Sequence, residues 1–305
     1  MYFQQRTVAQ PVTCSGIGVH SGKQVQLTIR PAPVNHGIKF IRTDLPDSPG
    51  ISAHLNMVVD TSLATVIGYN GFIVSTIEHL MACFAGLSID NALVELDAYE
   101  MPIMDGSAGP FAKMIRSAGI AKQAESRCVF IVKKPIMLKE NGKAVCVYPS
   151  PEFKVTYSIA YPHPLIKEQT YSLTISEDTF EKEISWARTF GFIQEIEYLK
   201  HYGFAKGGSL DNAIVLNQDD ILNTDGLRYP DEFVRHKILD CLGDFSLLGL
   251  PIMGHIVVEK SGHAFNHQFL KKFFNQRESW ETRFLHGTSL DLTRQPASRA
   301  KSLAI

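Results

Sequence analysis

Two histidines occupy equivalent places in two helical patterns of the sequence. His79 comes two residues after the apolar Ile77 in the first pattern. His236 comes two residues after the apolar Val234 in the second pattern. Successive helical residues turn by about 100°, so each histidine lies on the side of its helix opposite that apolar residue. Asp240, four residues after His236, shares its helical face, and packing of the two faces would bring all three side chains together.

These three side chains have the chemistry of a catalytic metal site. Two imidazoles and one carboxylate make three protein ligands, and a catalytic zinc ion keeps its fourth position open, whereas structural zinc has all four filled by protein. The spacing equally fits a solvated helix face that carries His236, Asp240 and Asp244, with His79 as an isolated surface residue. Both interpretations remain open at this point.

Glu78 also has two possible roles. Ser75 and Glu78 have the spacing of a capping box, in which Ser75 would cap a helix and Glu78 would reach back to the backbone of the cap. Beside a metal ligand, the same carboxylate could instead act as a general base that removes a proton from water. The two roles compete for one side chain.

The elements that carry these residues occur twice in the same order, which indicates two copies of one α+β unit. Each copy reads strand, strand, helix, strand, helix. The first copy comprises the strands 25–29 and 37–41, a helix from Thr76, the strand 92–96 and a helix from Phe111. The second comprises the strands 144–148 and 153–157, a helix from Glu232, the strand 255–258 and a helix from Phe265.

The spacing of the copies predicts the domain organisation. A Pro-x-Pro motif starts at residues 31 and 149, whereas the equivalent histidines stand at 79 and 236, so the second copy contains extra residues. We expect this insertion at about 190–215. Residues 1–125 should form the first domain, with a boundary in the polar stretch 121–127. Residues 126–286 should form the second domain. Residues 287–305 lack periodicity and should form a mobile tail.

Composition excludes several classes of protein. The chain has 305 residues, with 30 basic and 31 acidic side chains, which is not the footprint of a nucleic-acid binder. Hydrophobic residues make up 45% of it, enough for a substantial core. We see neither a signal region nor an apolar run long enough to span a membrane. Five scattered cysteines indicate a reducing compartment, so we expect a soluble cytoplasmic protein.

Six segments in order, over about residues 1 to 285, resemble the family of zinc-dependent UDP-3-O-acyl-N-acetylglucosamine deacetylases of lipid A biosynthesis. Each segment is short, and their common order makes an accidental match very improbable. They are Gly-Ile-Gly-Val-His-Ser-Gly (16–22), Ser-Thr-Ile-Glu-His-Leu (75–80), Pro-Ile-Met-Asp-Gly-Ser-Ala (102–108), Ala-Arg-Thr-Phe-Gly-Phe (187–192), Asp-Glu-Phe-Val-Arg-His-Lys (231–237, followed by Asp240 and Asp244) and Ser-Gly-His-Ala (261–264).

The resemblance implies a fold and an activity. The fold would be two similar α+β domains, each a β-sheet layered with a pair of α-helices, with the active site in the cleft between them. His79, His236 and Asp240 would bind Zn²⁺. The reaction would be hydrolysis of the N-acetyl group of UDP-3-O-acyl-N-acetylglucosamine, which releases acetate and the free amine. The protein would be a zinc-dependent amidohydrolase.

The resemblance also implies a catalytic role for five side chains. Glu78 would be the general base, and Thr189 would donate to the tetrahedral oxyanion. His263 would be the general acid that protonates the leaving nitrogen, with Asp244 raising its pKa. Lys237 would place a positive charge near the reaction centre. Without the resemblance, Thr189, His263 and Lys237 would be interpreted as ordinary turn or helix-surface residues.

The expected substrate contacts rest on the same resemblance. The insertion would form a hydrophobic passage for the ester-linked acyl chain, Tyr161 could stack on uracil, and His20 could lie on the diphosphate side. Gly208 belongs to a glycine pair, and the absence of side chains there would let the acyl chain pass close to the protein backbone. The residues expected to line or close the passage are Phe190, Ile196, Gly208, Ser209, Val215 and Leu63.

Alternatives to this function are few. A non-catalytic binder of acyl nucleotide sugars would lack Glu78 or His263, and both are present. A zinc amidohydrolase acting on a different acylated sugar would differ only in the insertion and around Tyr161. Iron could occupy the same three ligands as zinc. Residues 302–305 are a candidate signal for turnover by a regulatory protease acting through the tail.

Overall fold

A computed structural model of the chain describes residues 2–285. The tail predicted for residues 287–305, with its candidate protease signal, lies outside the described residues. The strands are β1 (Gln4–Val8), β2 (Val12–Ile17), β3 (Gln24–Pro31), β4 (Ile38–Arg42), β5 (Ile51–Ser52), β6 (Val58–Asp60), β7 (Val66–Tyr69), β8 (Phe72–Val74), β9 (Ala92–Leu96), β10 (Ile120–Ser126), β11 (Cys128–Val132), β12 (Ile136–Glu140), β13 (Lys143–Tyr148), β14 (Lys154–Tyr161), β15 (Lys167–Thr174), β16 (Phe190–Phe192), β17 (Ile214–Leu216), β18 (Ile252–Met253), β19 (His255–Glu259) and β20 (Trp280–Phe284).

Six α-helices and three shorter turns connect these strands within the described residues. The helices are α1 (Glu78–Gly86), α2 (Gly109–Ala118), α3 (Glu177–Thr179), α4 (Ile193–His201), α5 (Glu232–Ser246) and α6 (His263–Asn275). Leu55–Met57 and Arg277–Ser279 form single 3₁₀ turns, and Phe180–Ile184 forms a π turn that continues α3. None of the helices in residues 2–285 combines the length and the apolar character needed to cross a bilayer.

Two five-stranded sheets share one topology. The first has the order β2-β3-β9-β4-β5 and the second the order β12-β13-β19-β14-β15. In each sheet the central strand is antiparallel to one neighbour and parallel to the other. In the first sheet β9 is antiparallel to β3 and parallel to β4. In the second sheet β19 is antiparallel to β13 and parallel to β14. This identical order confirms the predicted fold of two similar α+β units.

Alternating burial explains why these segments form strands with one face on the core. Along β3 the side chains of Val25, Leu27 and Ile29 are buried, while the residues between them are more exposed. Val155 and Tyr157 of β14 follow the same alternation in the second sheet. A period of two places every second side chain on the same face of a strand, so each sheet presents an apolar surface to its helices.

Helices α1 and α5 pack against each other where the two halves meet. Each has a second helix beside it, α2 in the first half and α6 in the second. Nearly every residue of α1 and α5 is buried, including both histidines and every charged side chain except the partly exposed Lys237. Helices that are buried all round must pair their polar groups with one another, because water does not reach them.

Two features of the fold differ from the sequence prediction. The polar stretch expected as a linker at 121–127 is mostly β10, which pairs antiparallel with β1. A two-stranded ribbon with one exposed face carries polar residues on that face, which makes it resemble a linker in the sequence. The first half also has an insertion of its own, a small sheet of β6, β7 and β8, whose strands of three or four residues are too short to show a period.

Gly243 allows α1 and α5 to approach this closely. A Cβ atom built on Gly243 would lie 2.1 Å from the carbonyl oxygen of Glu78. The contact is with backbone, so a rotamer change cannot relieve it. The first turn of α1 therefore rests directly on the backbone of α5.

We expect Gly243→Ala to destabilise the protein. Alanine favours a helix over glycine by about 1 kcal/mol. Overpacking a core typically costs about 1–3 kcal/mol, and here the clashing atom cannot move without shifting α1. The net change should therefore be a loss of stability, measured as a lower midpoint of urea unfolding. Gly50→Ala is the control, because the nearest atoms to a Cβ at Gly50 lie 3.7 Å away; equal midpoints for the two variants would contradict the expectation.

Candidate metal centre and catalytic site

The described structure brings His79, His236 and Asp240 together at the junction of α1 and α5. One ligand atom from each residue lies within 4.8 Å of the other two. Nε2 of His236 is 3.3 Å and Nε2 of His79 is 3.7 Å from Oδ1 of Asp240. All three side chains are buried, so the alternative of a solvated helix face is wrong.

Burial and charge give these residues the protonation states that a divalent metal requires. Burial, aided by the neighbouring His236, lowers the pKa of His79 to about 3. Burial also lowers the pKa of His236. Burial raises the pKa of Asp240, but His236 and Lys237 outweigh it and hold that pKa well below its ordinary value. Two neutral imidazoles and one carboxylate therefore face each other, and this donor set fits a divalent metal ion.

A backbone carbonyl orients the His236 ring. Nδ1 of His236 lies 3.0 Å from the carbonyl oxygen of Ala187, so Nδ1 carries the proton and Nε2 faces Asp240 with its lone pair. The next residue, Arg188, is 2% exposed and donates to the buried carboxylate of Glu232 at 2.9 Å. This ion pair anchors the carbonyl that orients the ring.

Lys237 lies on the other side of the Asp240 carboxylate. Its Nζ donates to Oδ2 of Asp240 at 2.8 Å and lies 5.6 Å from the centre of the Phe190 ring. Burial lowers the pKa of Lys237, but the charge of Asp240 outweighs it and raises that pKa above its ordinary value. Lys237 is therefore a fixed positive charge beside the proposed ligands.

Glu78 points into the same space and takes no part in a capping box. Helix α1 begins at Glu78 after Ile77, which makes no side-chain cap, and Thr76 takes a left-handed φ of 62°. The hydroxyl of Ser75 instead contacts that of Thr76 at 3.3 Å. The capping-box interpretation is therefore wrong, because the left-handed residue turns the chain before the helix starts. The Glu78 carboxylate accepts from the backbone N–H of Thr65 at 3.1 Å.

His263 pairs with the buried Asp244 opposite Glu78. Nδ1 of His263 is 2.9 Å from Oδ2 of Asp244, and Nε2 is 3.8 Å from Oε1 of Glu78. Burial lowers the pKa of His263, but Asp244 outweighs it and raises that pKa to about 10. Burial raises the pKa of Glu78 to about 7. A base with a near-neutral pKa and a protonated histidine thus face each other.

Thr189 stands two residues after Ala187, whose carbonyl orients His236. Its backbone is held on both sides, since its N–H donates to Gly106 and its carbonyl accepts from Ile214, both at 2.8 Å. Gly106 has a φ of 84°, and a Cβ there would lie 2.1 Å from the carbonyl oxygen of Asn212. Only glycine fits this close contact, which brings the loop of the first half against β16 of the second.

Aromatic rings form a wall next to the ligands. Phe190 packs edge-on against Tyr161 at 5.7 Å and against Phe233 at 5.0 Å between ring centres, and its ring lies 6.4 Å from that of His236. From the sequence, Phe190 is expected to contact the acyl chain and Tyr161 to contact the uracil, which are opposite ends of the substrate. In the structure the two rings are in contact with each other. The short strands β16 and β17 are parallel and hold Phe190 opposite Ile214.

The other predicted substrate residues lie around the insertion and the first half. Ile196 of α4 faces Gly191, Val215 of β17 is buried, and Ser209 is exposed. Gly208 follows Gly207, whose N–H donates to Val19 at 3.0 Å and so joins the insertion to the first half. Leu63 is exposed, two residues before Thr65.

His20 lies where the first half meets the insertion. Its ring is 6.3 Å from that of Phe204, edge to face, and its backbone N–H donates to Glu100 at 2.8 Å. Its Nδ1 is buried and makes no hydrogen bond within the described residues. A buried ring nitrogen without a partner leaves His20 able to bind a polar ligand group.

Comparison with known proteins identifies the family. A family model described as UDP-3-O-acyl N-acetylglycosamine deacetylase matches residues 5–275. The chain belongs to this family. A UDP-3-O-acyl-N-acetylglucosamine deacetylase of Myxococcus xanthus is 48% identical over 92% of this chain and 89% of its own length. The same-named proteins of Syntrophus aciditrophicus and Teredinibacter turnerae are 47% and 48% identical, over 92% and 91% of this chain and 89% and 92% of theirs. The resemblance inferred from six segments is thereby confirmed.

Sequence reasoning missed two polar residues that hydrogen-bond to Asp244 in this structure. The Thr65 hydroxyl donates to Oδ1 of Asp244 at 2.6 Å, and Nδ2 of Asn266 donates to Oδ2 at 2.8 Å. Thr65 gave no signal because it stands in an irregular stretch before β7. Asn266 could have been found, because it follows the His263 segment by one helical turn.

We expect one divalent ion to bind per chain and to stabilise the fold. After removal of metal with a chelator, added metal should raise Tm, because it binds the native arrangement and not the unfolded chain. His79→Ala and Asp240→Ala should lose both the bound metal, measured by elemental analysis, and the rise in Tm. His36→Ala is the control, since the Nδ1 of His36 hydrogen-bonds the neighbouring Gly37 carbonyl. Full metal content in either ligand variant would contradict the site.

Proposed function

We propose that this protein hydrolyses the N-acetyl group of UDP-3-O-acyl-N-acetylglucosamine and so releases acetate and the free amine, a step of lipid A biosynthesis. One observation carries the proposal. A triad of candidate metal ligands lies between the two halves, with Nε2 of His263 beside it, 3.8 Å from Oε1 of Glu78. Membership of the deacetylase family and relatives of that name over nine-tenths of the chain support the same activity.

We propose zinc as the metal, held by His79, His236 and Asp240. Two nitrogens and one oxygen with a further position open are the ligand set of a catalytic zinc ion. Iron is the alternative, because imidazole and carboxylate ligands suit it as well. When bound, the ion supplies Lewis acidity that polarises a carbonyl oxygen and lowers the pKa of a water molecule. Elemental analysis of protein purified without added metal distinguishes the two.

Glu78 serves as the general base in this proposal. An acetamide carbonyl is a poor electrophile, so the attacking water must lose a proton as it approaches. The near-neutral pKa of Glu78 suits that transfer, since a base works best when its pKa lies near the working pH. The Thr65 N–H holds the Glu78 carboxylate in place while it accepts the proton.

Thr189 and His263 act on the other two atoms of the amide. The Thr189 hydroxyl donates to the oxygen of the tetrahedral intermediate, where negative charge develops. His263, protonated through its pairing with Asp244, gives its Nε2 proton to the leaving nitrogen, which would otherwise depart as an unstable anion. Lys237 contributes a positive charge beside Asp240.

The acyl chain would run along the insertion, from the aromatic wall past Ile196 towards Gly208 and Ser209, with Val215 and Leu63 at its sides. Tyr161 would contact the uracil and His20 the diphosphate. We also propose that residues 1–125 and 126–286 form the two domains and that the protein is cytoplasmic. A regulatory protease would control its turnover through the tail at residues 287–305.

We expect Glu78→Gln to bind metal normally and to lose activity. Glutamine keeps the shape and the acceptor for Thr65 but cannot take a proton, so turnover should fall by about 10²–10⁴. Acetate release and metal content are the measurements. Glu95→Gln is the matched control, because the Glu95 carboxylate of β9 is partly exposed and accepts from Arg30. Normal turnover in Glu78→Gln would remove Glu78 as the base.

We expect Asp244→Asn to move the alkaline limb of the kcat/KM profile to lower pH. His263 donates only while protonated, and with its pKa raised to about 10 activity is lost as pH rises through that value. Loss of the carboxylate charge should lower that pKa, and with it the limb, by about 1–3 units. Asp178→Asn, which removes an exposed charge paired with Lys182, should leave the limb unchanged. An unmoved limb in Asp244→Asn would exclude His263 as the group that titrates.

A further inference from the structure

Thr65 contacts three of the side chains to which catalytic roles are assigned above. It is 2% exposed and precedes β7 in the first half of the chain. Its backbone N–H donates to Oε2 of Glu78 at 3.1 Å, and its hydroxyl oxygen lies 2.6 Å from Oδ1 of Asp244 and 3.3 Å from Nδ1 of His263. One residue thus touches the base, the acid and the partner of the acid.

The backbone of Thr65 secures the start of α1. Its carbonyl accepts from the N–H of Ile77 at 3.4 Å, one residue before the helix, and its N–H holds the Glu78 carboxylate. These contacts lie within the first half and survive any change of the Thr65 side chain. They fix where the Glu78 carboxylate stands.

The hydroxyl of Thr65 crosses to the second half. It donates to Oδ1 of Asp244, and Oδ2 accepts from Asn266 at 2.8 Å. Nδ1 of His263 lies 2.9 Å from Oδ2 and 3.1 Å from Oδ1. Each carboxylate oxygen therefore has its own neutral donor, and the plane of the Asp244 carboxylate is set. That plane in turn sets the direction in which Nε2 of His263 points.

We propose that Thr65 is a positioning residue, which fixes His263 relative to Glu78 by holding the Asp244 carboxylate across the junction of the two halves. The inference rests on the proposed deacetylase activity. Proton transfer to the leaving nitrogen requires His263 in a narrow range of positions, whereas none of the substrate contacts proposed above involves Thr65. Loss of the hydroxyl should therefore lower kcat and leave KM nearly unchanged.

The test compares Thr65→Val, which keeps the shape and the backbone contacts, with Thr65→Ser, which keeps the hydroxyl. Thr65→Val should lower kcat by about 10- to 100-fold, the scale of one hydrogen bond to a charged group. Thr65→Ser should restore most of that loss. Thr7→Val is the matched control, because the buried Thr7 hydroxyl accepts from the Ala32 N–H instead of contacting a catalytic group. Should Thr65→Val not fold, Thr65→Ala tests the same loss.

A double-mutant cycle shows whether Thr65 acts through Asp244. In an Asp244→Asn background, adding Thr65→Val should lower kcat much less than it does in the wild type, because the carboxylate it holds is already absent. Metal content should stay that of the wild type in every variant.

Three results would overturn the inference. They are a fall in kcat no larger than that of Thr7→Val, failure of serine to restore activity, and full additivity with Asp244→Asn. Wild-type acetate release in the same assay separates the two claims. An inactive wild type refutes the proposed function, whereas an active wild type with an equally active Thr65→Val refutes only the role of Thr65.

Discussion

The close packing of α1 on α5 is the constraint on which the rest of the structure depends. Gly243 has no side chain, and the carbonyl of Glu78 occupies the space where a Cβ would stand. This contact brings the first turn of α1 beside the middle of α5, so His79 reaches His236 and Asp240. A wider separation of the helices would leave three polar side chains buried apart, each without the partner that offsets its desolvation.

Burial then determines the electrostatics of the site. In water, the two imidazoles would be partly protonated and would repel a cation. At the buried junction the pKa of each histidine falls, while the positive charge of Lys237 helps to keep Asp240 ionised. The same burial raises the pKa of Glu78, whereas neighbouring carboxylates, Asp244 foremost, keep His263 protonated. The same desolvated environment thus favours uncharged histidine ligands, a base (Glu78) with a pKa near neutral pH, and a protonated acid (His263). The difference between them comes from the partners that each group has.

Much of the fold and most of the candidate site could be predicted from the sequence. The repeated order of strands and helices predicted the two sheets. The equivalent places of His79 and His236 left a shared metal site as one of two interpretations, and the family resemblance favoured it. The capping box at Ser75 was wrong, because Thr76 turns left-handed before α1 and no local pattern announces such a turn. The small sheet of β6 to β8 was missed for a similar reason, since strands of three or four residues are too short to show a period.

What the sequence by itself determined is periodic or local: which faces of α1 and α5 carry histidine, and which strands alternate. What only the tertiary structure decided is the set of contacts between residues far apart in the chain, such as Thr65 with Asp244 or the Ala187 carbonyl with His236. Their cause is physical. A buried polar group must find a partner wherever the packing of the two halves places one, and sequence spacing carries no record of that packing.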